Sequence, residues 1–221
     1  MTQTIRDSSW APSVAAAPLV PALAVRSPSP RLAFSVQVAG ILFFSVLTAA
    51  ASQVSVPLPF TPVPFTLQPV VVLLAGASLG ARAGLASQLL YLAAGLAGAP
   101  VFAASPWLPP GVARLLGPTG GYLLGYPLAA WLTGLLAERG YDRRYLRSVL
   151  AMAAGLAVIF TWGVAWLAFA ATPFKQAVGL PLALRTGLYP FLPLDLLKVL
   201  AASAILPGIW RLVGRELTSN E

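Results

Sequence analysis

The sequence predicts an all-α, polytopic membrane protein: a bundle of six transmembrane helices with the N- and C-termini cytoplasmic. Three observations predict it. Hydrophobic residues fill 58% of the 221 positions and charged ones only 9%, against about 25% charged in ordinary soluble domains. The apolar residues gather into six runs, each long enough to cross a bilayer or nearly so. The basic residues between those runs are concentrated on alternate connections, as expected of a chain oriented by its positive charge.

Residues 1–31 mix Ala, Pro, Ser and Val with Arg6, Asp7, Arg26 and Arg31. Pro12, Pro18 and Pro21 interrupt any apolar core, so this segment reads as a flexible N-terminal tail rather than a signal peptide. A hydrocarbon layer of about 30 Å takes about 20 apolar residues per helix. The segments that meet this need are 32–52, 66–81, 83–103, 119–137, 148–171 and 187–213. Together they make 32–213 one membrane domain, with 214–221 left as a C-terminal tail. Only Gly80-Ala81-Arg82-Ala83-Gly84 separates the second segment from the third, which predicts an antiparallel helical hairpin.

Orientation follows from the basic residues. With the N-terminus inside, Arg6, Arg26, Arg31, Arg82, Arg139, Arg143, Arg144, Arg147, Arg211 and Arg215 are cytoplasmic, whereas Arg114, Lys175 and Arg185 face out. Residues 53–65, 104–118 and 172–186 are then the outer connections. Pro57, Pro59, Pro62, Pro64, Trp107, Pro109, Pro110 and Pro118 make the first two stiff, partly apolar covers for a site that opens outward. The net charge of +8 is distributed along these connections, which fits membrane anchoring and not a nucleic-acid partner.

Several chemistries are excluded by composition. The chain has no cysteine and no histidine, so it holds no thiolate nucleophile, imidazole base or histidine zinc site. Its six acids argue against a carboxylate metal cluster, and it has no Gly-x-x-x-x-Gly-Lys-Ser/Thr run to cradle a nucleotide. It is therefore not read as an enzyme, and it implies no cofactor. Any use of ATP falls to partner proteins.

Of the acids, only Asp195 lies where a span begins; Lys198 follows three residues later, on the same helical face. Ionisable groups within a membrane are costly and commonly functional. The pair reads either as a structural ion pair with Lys198 reaching for the headgroups, or as a pair that faces a central cavity and binds a polar solute. The run Gly117-Pro118-Thr119-Gly120-Gly121-Tyr122 opens the fourth span. Thr119 is placed to cap that helix, and the two glycines permit close approach of backbone; a plain tight turn is the alternative. Gln53, Gln68, Gln88 and Tyr91 are expected to bond between helices. Gln68 and Tyr91 join the site if they share the cavity of Asp195. Gly76, Gly80, Gly95 and Gly98 are expected at helix-packing positions.

Residues 51–59, then Pro62-Val63-Pro64-Phe65-Thr66-Leu67-Gln68, then Gly117 to Tyr122, then Pro190 to Lys198, resemble in order the BioY family of biotin transporters. These are substrate-binding S components of energy-coupling factor transporters. The resemblance covers about residues 32–213. It implies a six-helix bundle in the plasma membrane that captures biotin near its outer face. It also implies energising partners: a transmembrane coupling protein and two ATPase subunits. The pocket residues it implies are Asp195, Lys198 and Gly117 to Tyr122, with Asp195 accepting from the ureido N–H groups and Lys198 or Arg114 meeting an oxygen. The chain departs from the family in two respects. Its only asparagine is Asn220, so any ureido contact that relatives make through an asparagine in the loop before the glycine turn, here Ser105-Pro106-Trp107-Leu108-Pro109-Pro110-Gly111, is replaced or absent. Its first helix also lacks the usual docking motif. S components often carry Ala-x-x-x-Ala on the first helix for docking, whereas here Ser35-x-x-x-Ala39 and Ser45-x-x-x-Ala49 stand in its place.

Overall fold

The computed structural model describes residues 17–25, 29–105, 108–170, 172–173 and 175–218. Within them the chain forms α1 (Leu19–Val25), α2 (Pro30–Gln53), β1 (Ser55–Val56), β2 (Phe65–Thr66), α3 (Gln68–Leu79) and α4 (Ala81–Leu96). It continues through α5 (Val112–Leu116), α6 (Gly120–Ala137), α7 (Tyr145–Phe169), α8 (Leu180–Gly187), α9 (Leu192–Ala202) and α10 (Ile205–Thr218). Three helices among the described residues are long and apolar enough to cross a membrane: Pro30–Gln53, Tyr145–Phe169 and, taken through its break, Leu192–Leu212. Phe34, Phe43, Leu146, Leu150 and Phe169 stand exposed on their outer faces, where lipid and not water is the compatible solvent.

The centre of the bundle is α6, which packs most extensively on α7 and then on α3 and α4. Small residues make this possible. A Cβ on Gly76 would strike the backbone of Ala130, and one on Gly134 would strike the Gly80–Ala81 peptide. Gly84 lies against Gly76 in turn, so α3, α4 and α6 meet nearly backbone to backbone. Close packing of this kind replaces the hydrophobic effect as the cohesive force between helices in lipid. The predicted hairpin between α3 and α4 is present, and Gly80 makes it with φ +85°, a conformation that side chains disfavour. Glu138, at the end of α6, caps the turn: its Oε1 accepts from the Ala81 N–H at 2.8 Å, placing a carboxylate at the positive end of α4.

Many polar side chains within the bundle pair with one another or with backbone, as hydrocarbon favours. The Ser45 hydroxyl donates to the Ser87 carbonyl at 2.6 Å, and Gln88 Nε2 donates to Thr48 Oγ1 at 3.3 Å, so α2 and α4 share a polar seam. Gln53 Nε2 donates to the Pro100 carbonyl at 3.3 Å. On the opposite end of the molecule Asp142 is buried and accepts from the Trp210 indole at 2.6 Å. Burial raises its pKa above the ordinary carboxylate value, opposed by the indole bond and by the Arg143 charge. Arg143 in turn lies over the Trp210 ring and donates to the Ala17 carbonyl at 3.1 Å. Segments from both chain ends thus meet on the loop between α6 and α7.

Four expectations from the sequence need amendment. Residues 19–25, read as tail, form α1 and pack on α2 and α3, whereas 1–16 and 26–28 lie outside the described residues. The C-terminal boundary at 214 is also passed, because α10 runs to Thr218. The outer connection 172–186 is not all loop: it carries most of α8. The last apolar run is not one helix. It begins at Leu192 and breaks at Ser203–Ala204, because Pro207 lacks the N–H that would bond the Ser203 carbonyl and its ring crowds that group.

The packing makes a prediction. Gly76→Ala forces a methyl into the Ala130 backbone and should destabilise the protein by about 1–3 kcal/mol. Gly208→Ala, where nothing lies within 4 Å, should leave stability equal or slightly higher. Thermal unfolding of the two variants in detergent checks the contrast, and equal midpoints would refute the backbone contact.

Candidate substrate site

The prolines of the first outer connection determine its shape. Pro57, Pro59, Pro62 and Pro64 cannot donate to a ladder, so the hairpin stops after two pairs, Ser55 with Thr66 and Val56 with Phe65. The remaining loop folds over the helix ends, and the Thr61 hydroxyl pins it to the Thr186 carbonyl at 2.6 Å. Beneath it lies a cavity of about 400 Å³, within the range that suits a small organic ligand. Its cover is Leu58 and Thr61 to Thr66 from the segment between α2 and α3, with Phe102 to Ser105 and Leu108 from the segment between α4 and α5. Its walls and floor are Gln68, Pro118, Thr119, Tyr122, Leu123, Tyr126, Ile159, Phe160, Phe191 and Asp195.

Asp195 lies in the first turn of α9 and is 4% exposed. Lys198 stands behind it, one helical turn on, and does not line the cavity. The Lys198 ammonium donates to Asp195 Oδ1 at 2.7 Å and to the Thr66 carbonyl at 2.7 Å. It also sits 3.5 Å from the centre of the Phe65 ring, which stacks on Phe191. Lys198 thus neither reaches for the headgroups nor borders the cavity, and only Asp195 of the pair lines it. Asp195 faces the cavity, while Lys198 neutralises it from behind and ties α9 to strand β2.

The glycine-rich turn divides in the same way. Pro118, Thr119 and Tyr122 line the cavity, and Gly117, Gly120 and Gly121 do not. Gly117 offers its carbonyl to the Trp166 indole at 2.9 Å. A Cβ on Gly120 would meet the Leu115 carbonyl, and one on Gly121 would meet Trp166. These glycines let α6 begin hard against α7. Thr119 occupies the N-cap position with no side-chain cap bond, and the Gly120 amide donates to the Gly117 carbonyl at 3.1 Å instead of pointing at a ligand. The expected hydroxyl cap is absent because the residue has helical rather than extended backbone angles.

Gln68 lines the cavity and donates to the Tyr91 hydroxyl at 2.6 Å; Tyr91 lies behind it, 1% exposed. Arg114 borders the cavity, but its guanidinium is turned to the chain itself. It donates to the carbonyls of Ala103 at 2.7 Å, Pro109 at 3.1 Å and Ser105 at 3.3 Å. Burial lowers its pKa below the usual value, and Arg nonetheless stays charged. Tyr122 donates to the Gly187 carbonyl at 2.8 Å, fixing the start of α6 to the end of α8.

The aromatic lining was not anticipated: Phe65, Tyr126, Phe160 and Phe191 all face the cavity. Helical spacing carries part of the signal. Tyr126 follows Tyr122 by four residues and Phe191 precedes Asp195 by four, so each shares a face with a residue already singled out. Phe65 and Phe160 come from elements whose register the sequence does not reveal.

The site is thus a small, largely aromatic chamber with one carboxylate, neutralised from behind, and a few uncharged polar groups. The BioY family matches residues 25–215. The chain is 39% identical over 170 residues to the probable biotin transporter BioY of Pyrococcus horikoshii, covering 77% of this chain and 92% of that one. It is 37% identical over 163 residues to the biotin transporter BioY of Thermotoga maritima, covering 73% and 88%. The fold superposes on the S-component for biotin from an ECF-type ABC transporter with a TM-score of 0.71, at 23% identity, over 84% of this chain and 95% of that one. Family match, relatives and fold agree along the same stretch that builds the chamber, and this chain belongs to the BioY family.

Proposed function

We propose that this protein captures biotin at the outer face of the plasma membrane, as the substrate-binding component of an energy-coupling factor transporter. The observation that carries the reading is Asp195, a carboxylate facing an enclosed aromatic cavity and charge-compensated by Lys198. Biotin combines ureido N–H donors and a carbonyl with an apolar thiophane and chain, which suits such a chamber. In this reading Asp195 accepts from the ureido group while the aromatic walls cover the apolar ring. The pocket comprises Asp195, Gln68, Pro118, Thr119 and Tyr122. Lys198, Tyr91, Arg114, Gly117, Gly120 and Gly121 hold these groups in place. No bond is made or broken, and no cofactor takes part.

The same reading holds that the chain crosses the membrane six times with both termini inside. The hydrophobic segments and the inward bias of arginine support it. Energy comes from partners, a coupling protein in the membrane and two ATPase subunits, since this chain has no phosphate-binding loop.

Titration calorimetry of biotin, thiamine and riboflavin into the detergent-solubilised protein tests the substrate. Biotin alone should bind tightly; preference for another vitamin or binding of none would overturn the assignment. Asp195→Asn strands Lys198 at a cost of about 3–5 kcal/mol, which at 1.4 kcal/mol per decade predicts at least a hundredfold weaker binding. Arg185→Ala, at an exposed position on α8, should bind as the parent does. Wild-type affinity in a folded Asp195→Asn protein would remove Asp195 from the site.

Topology is tested on a cysteine-free background that the chain itself provides. Single cysteines at Arg139 and Gln176, both exposed, should react with an impermeant maleimide from opposite sides, with position 176 accessible in intact cells. Labelling from one side only would end the six-span arrangement.

A further inference from the structure

Three tyrosines cluster at the chamber, and two of them have partners within the protein. Tyr91 accepts from Gln68 and Tyr122 donates to Gly187. Tyr126 differs. It lines the cavity and is 4% exposed, yet its hydroxyl makes no hydrogen bond to any described residue. Nor is that oxygen among the buried polar atoms sealed off without a partner, so it opens into the cavity. Asp195 repeats the pattern. Its Oδ1 is held by Lys198, whereas Oδ2 has no partner among the described residues and is likewise not sealed. Buried polar groups are almost always bonded, and an exception calls for an explanation. Two such groups, an O–H donor and a carboxylate acceptor, border one cavity.

We propose that Tyr126 is a specificity-determining residue: its hydroxyl donates to the carbonyl of a cyclic urea or cyclic amide, while Asp195 Oδ2 accepts from the adjacent N–H. The inference rests on the biotin reading and gives its ureido ring a defined place at the chamber floor. The carboxylated chain then points away from Asp195, toward the outer loops, which avoids placing two carboxylates together in a low-dielectric space. The Tyr126 ring is held independently of the ligand. It lies 6.5 Å from the Tyr91 ring, centre to centre, and α6 is fixed on α7 by the contacts of Gly121 and Gly125. The hydroxyl is therefore positioned before any ligand arrives.

The test is a cycle of two ligands and two proteins. The ligands are biotin and its thiourea analogue, in which C=S replaces the ureido C=O and sulfur is a weak acceptor. The proteins are the unmodified chain and Tyr126→Phe, which removes one oxygen and keeps the ring. The unmodified chain should favour biotin, and Tyr126→Phe should weaken biotin binding by about threefold to tenfold. The variant should bind the thiourea analogue about as before, so the discrimination collapses. Equal losses for both ligands, or unchanged discrimination, would overturn the role of the hydroxyl. If the variant does not extract as a monodisperse species, the unmodified chain decides: failure to discriminate there overturns the proposal too. Failure of the unmodified chain to bind biotin at all would instead refute the substrate assignment.

Discussion

Hydrocarbon cannot solvate a polar group, and each feature of this protein answers to that constraint. Backbone amides are satisfied within helices, and the helices then cohere through close contact of small residues instead of expulsion of water. The glycines of α3, α4 and α6 supply that contact, and serine, threonine and glutamine close the remaining polar seams. A buried charge is kept with a counter-charge, as Asp195 is with Lys198, or with backbone dipoles, as Arg114 is with three carbonyls. Polar atoms left unmatched after this accounting are few. Those of Tyr126 and Asp195 open into the chamber.

The lysine shows how one side chain joins two tasks. Its ammonium neutralises Asp195, and the same group holds the Thr66 carbonyl and the Phe65 ring. The electrostatic centre of the chamber and the strand that begins its cover are therefore joined through a single atom. A simple ion pair would leave the hairpin loose, and a simple loop anchor would leave the carboxylate uncompensated. The glycine-rich turn has a comparable economy, since its proline, threonine and tyrosine border the chamber while its glycines bring α6 onto α7.

Much of this was legible in the sequence because lipid imposes a strict code. Apolar runs mark helices, short glycine turns mark hairpins, and an isolated Asp–Lys pair at helical spacing marks where Asp195 borders a cavity. Legibility ended where geometry depends on contacts between distant segments. α8 forms inside a stretch that reads as a connection; the break before α10 is by contrast local, with Pro207 meeting the carbonyl of Ser203 four residues back. The resemblance implies that Lys198 or Arg114 meets a ligand oxygen, whereas the Arg114 guanidinium is turned to three backbone carbonyls. Its three carbonyl partners come from irregular backbone, whose path a sequence does not announce. Nothing in the sequence distinguishes Tyr126 from any tyrosine in an apolar helix, and only the assembled structure shows that its hydroxyl has no partner among the described residues.

Arg114 has a consequence for how the second outer connection can vary. Ala103, Ser105 and Pro109 are gathered through their backbone carbonyls, groups that every residue possesses. The Arg114 contacts are thus indifferent to the side chains at those three positions. Substitutions at the three positions should be widely tolerated, whereas the cation that gathers them admits no neutral replacement. Sensitivity of these three backbone contacts is in this way displaced onto one residue of the short helix that follows them.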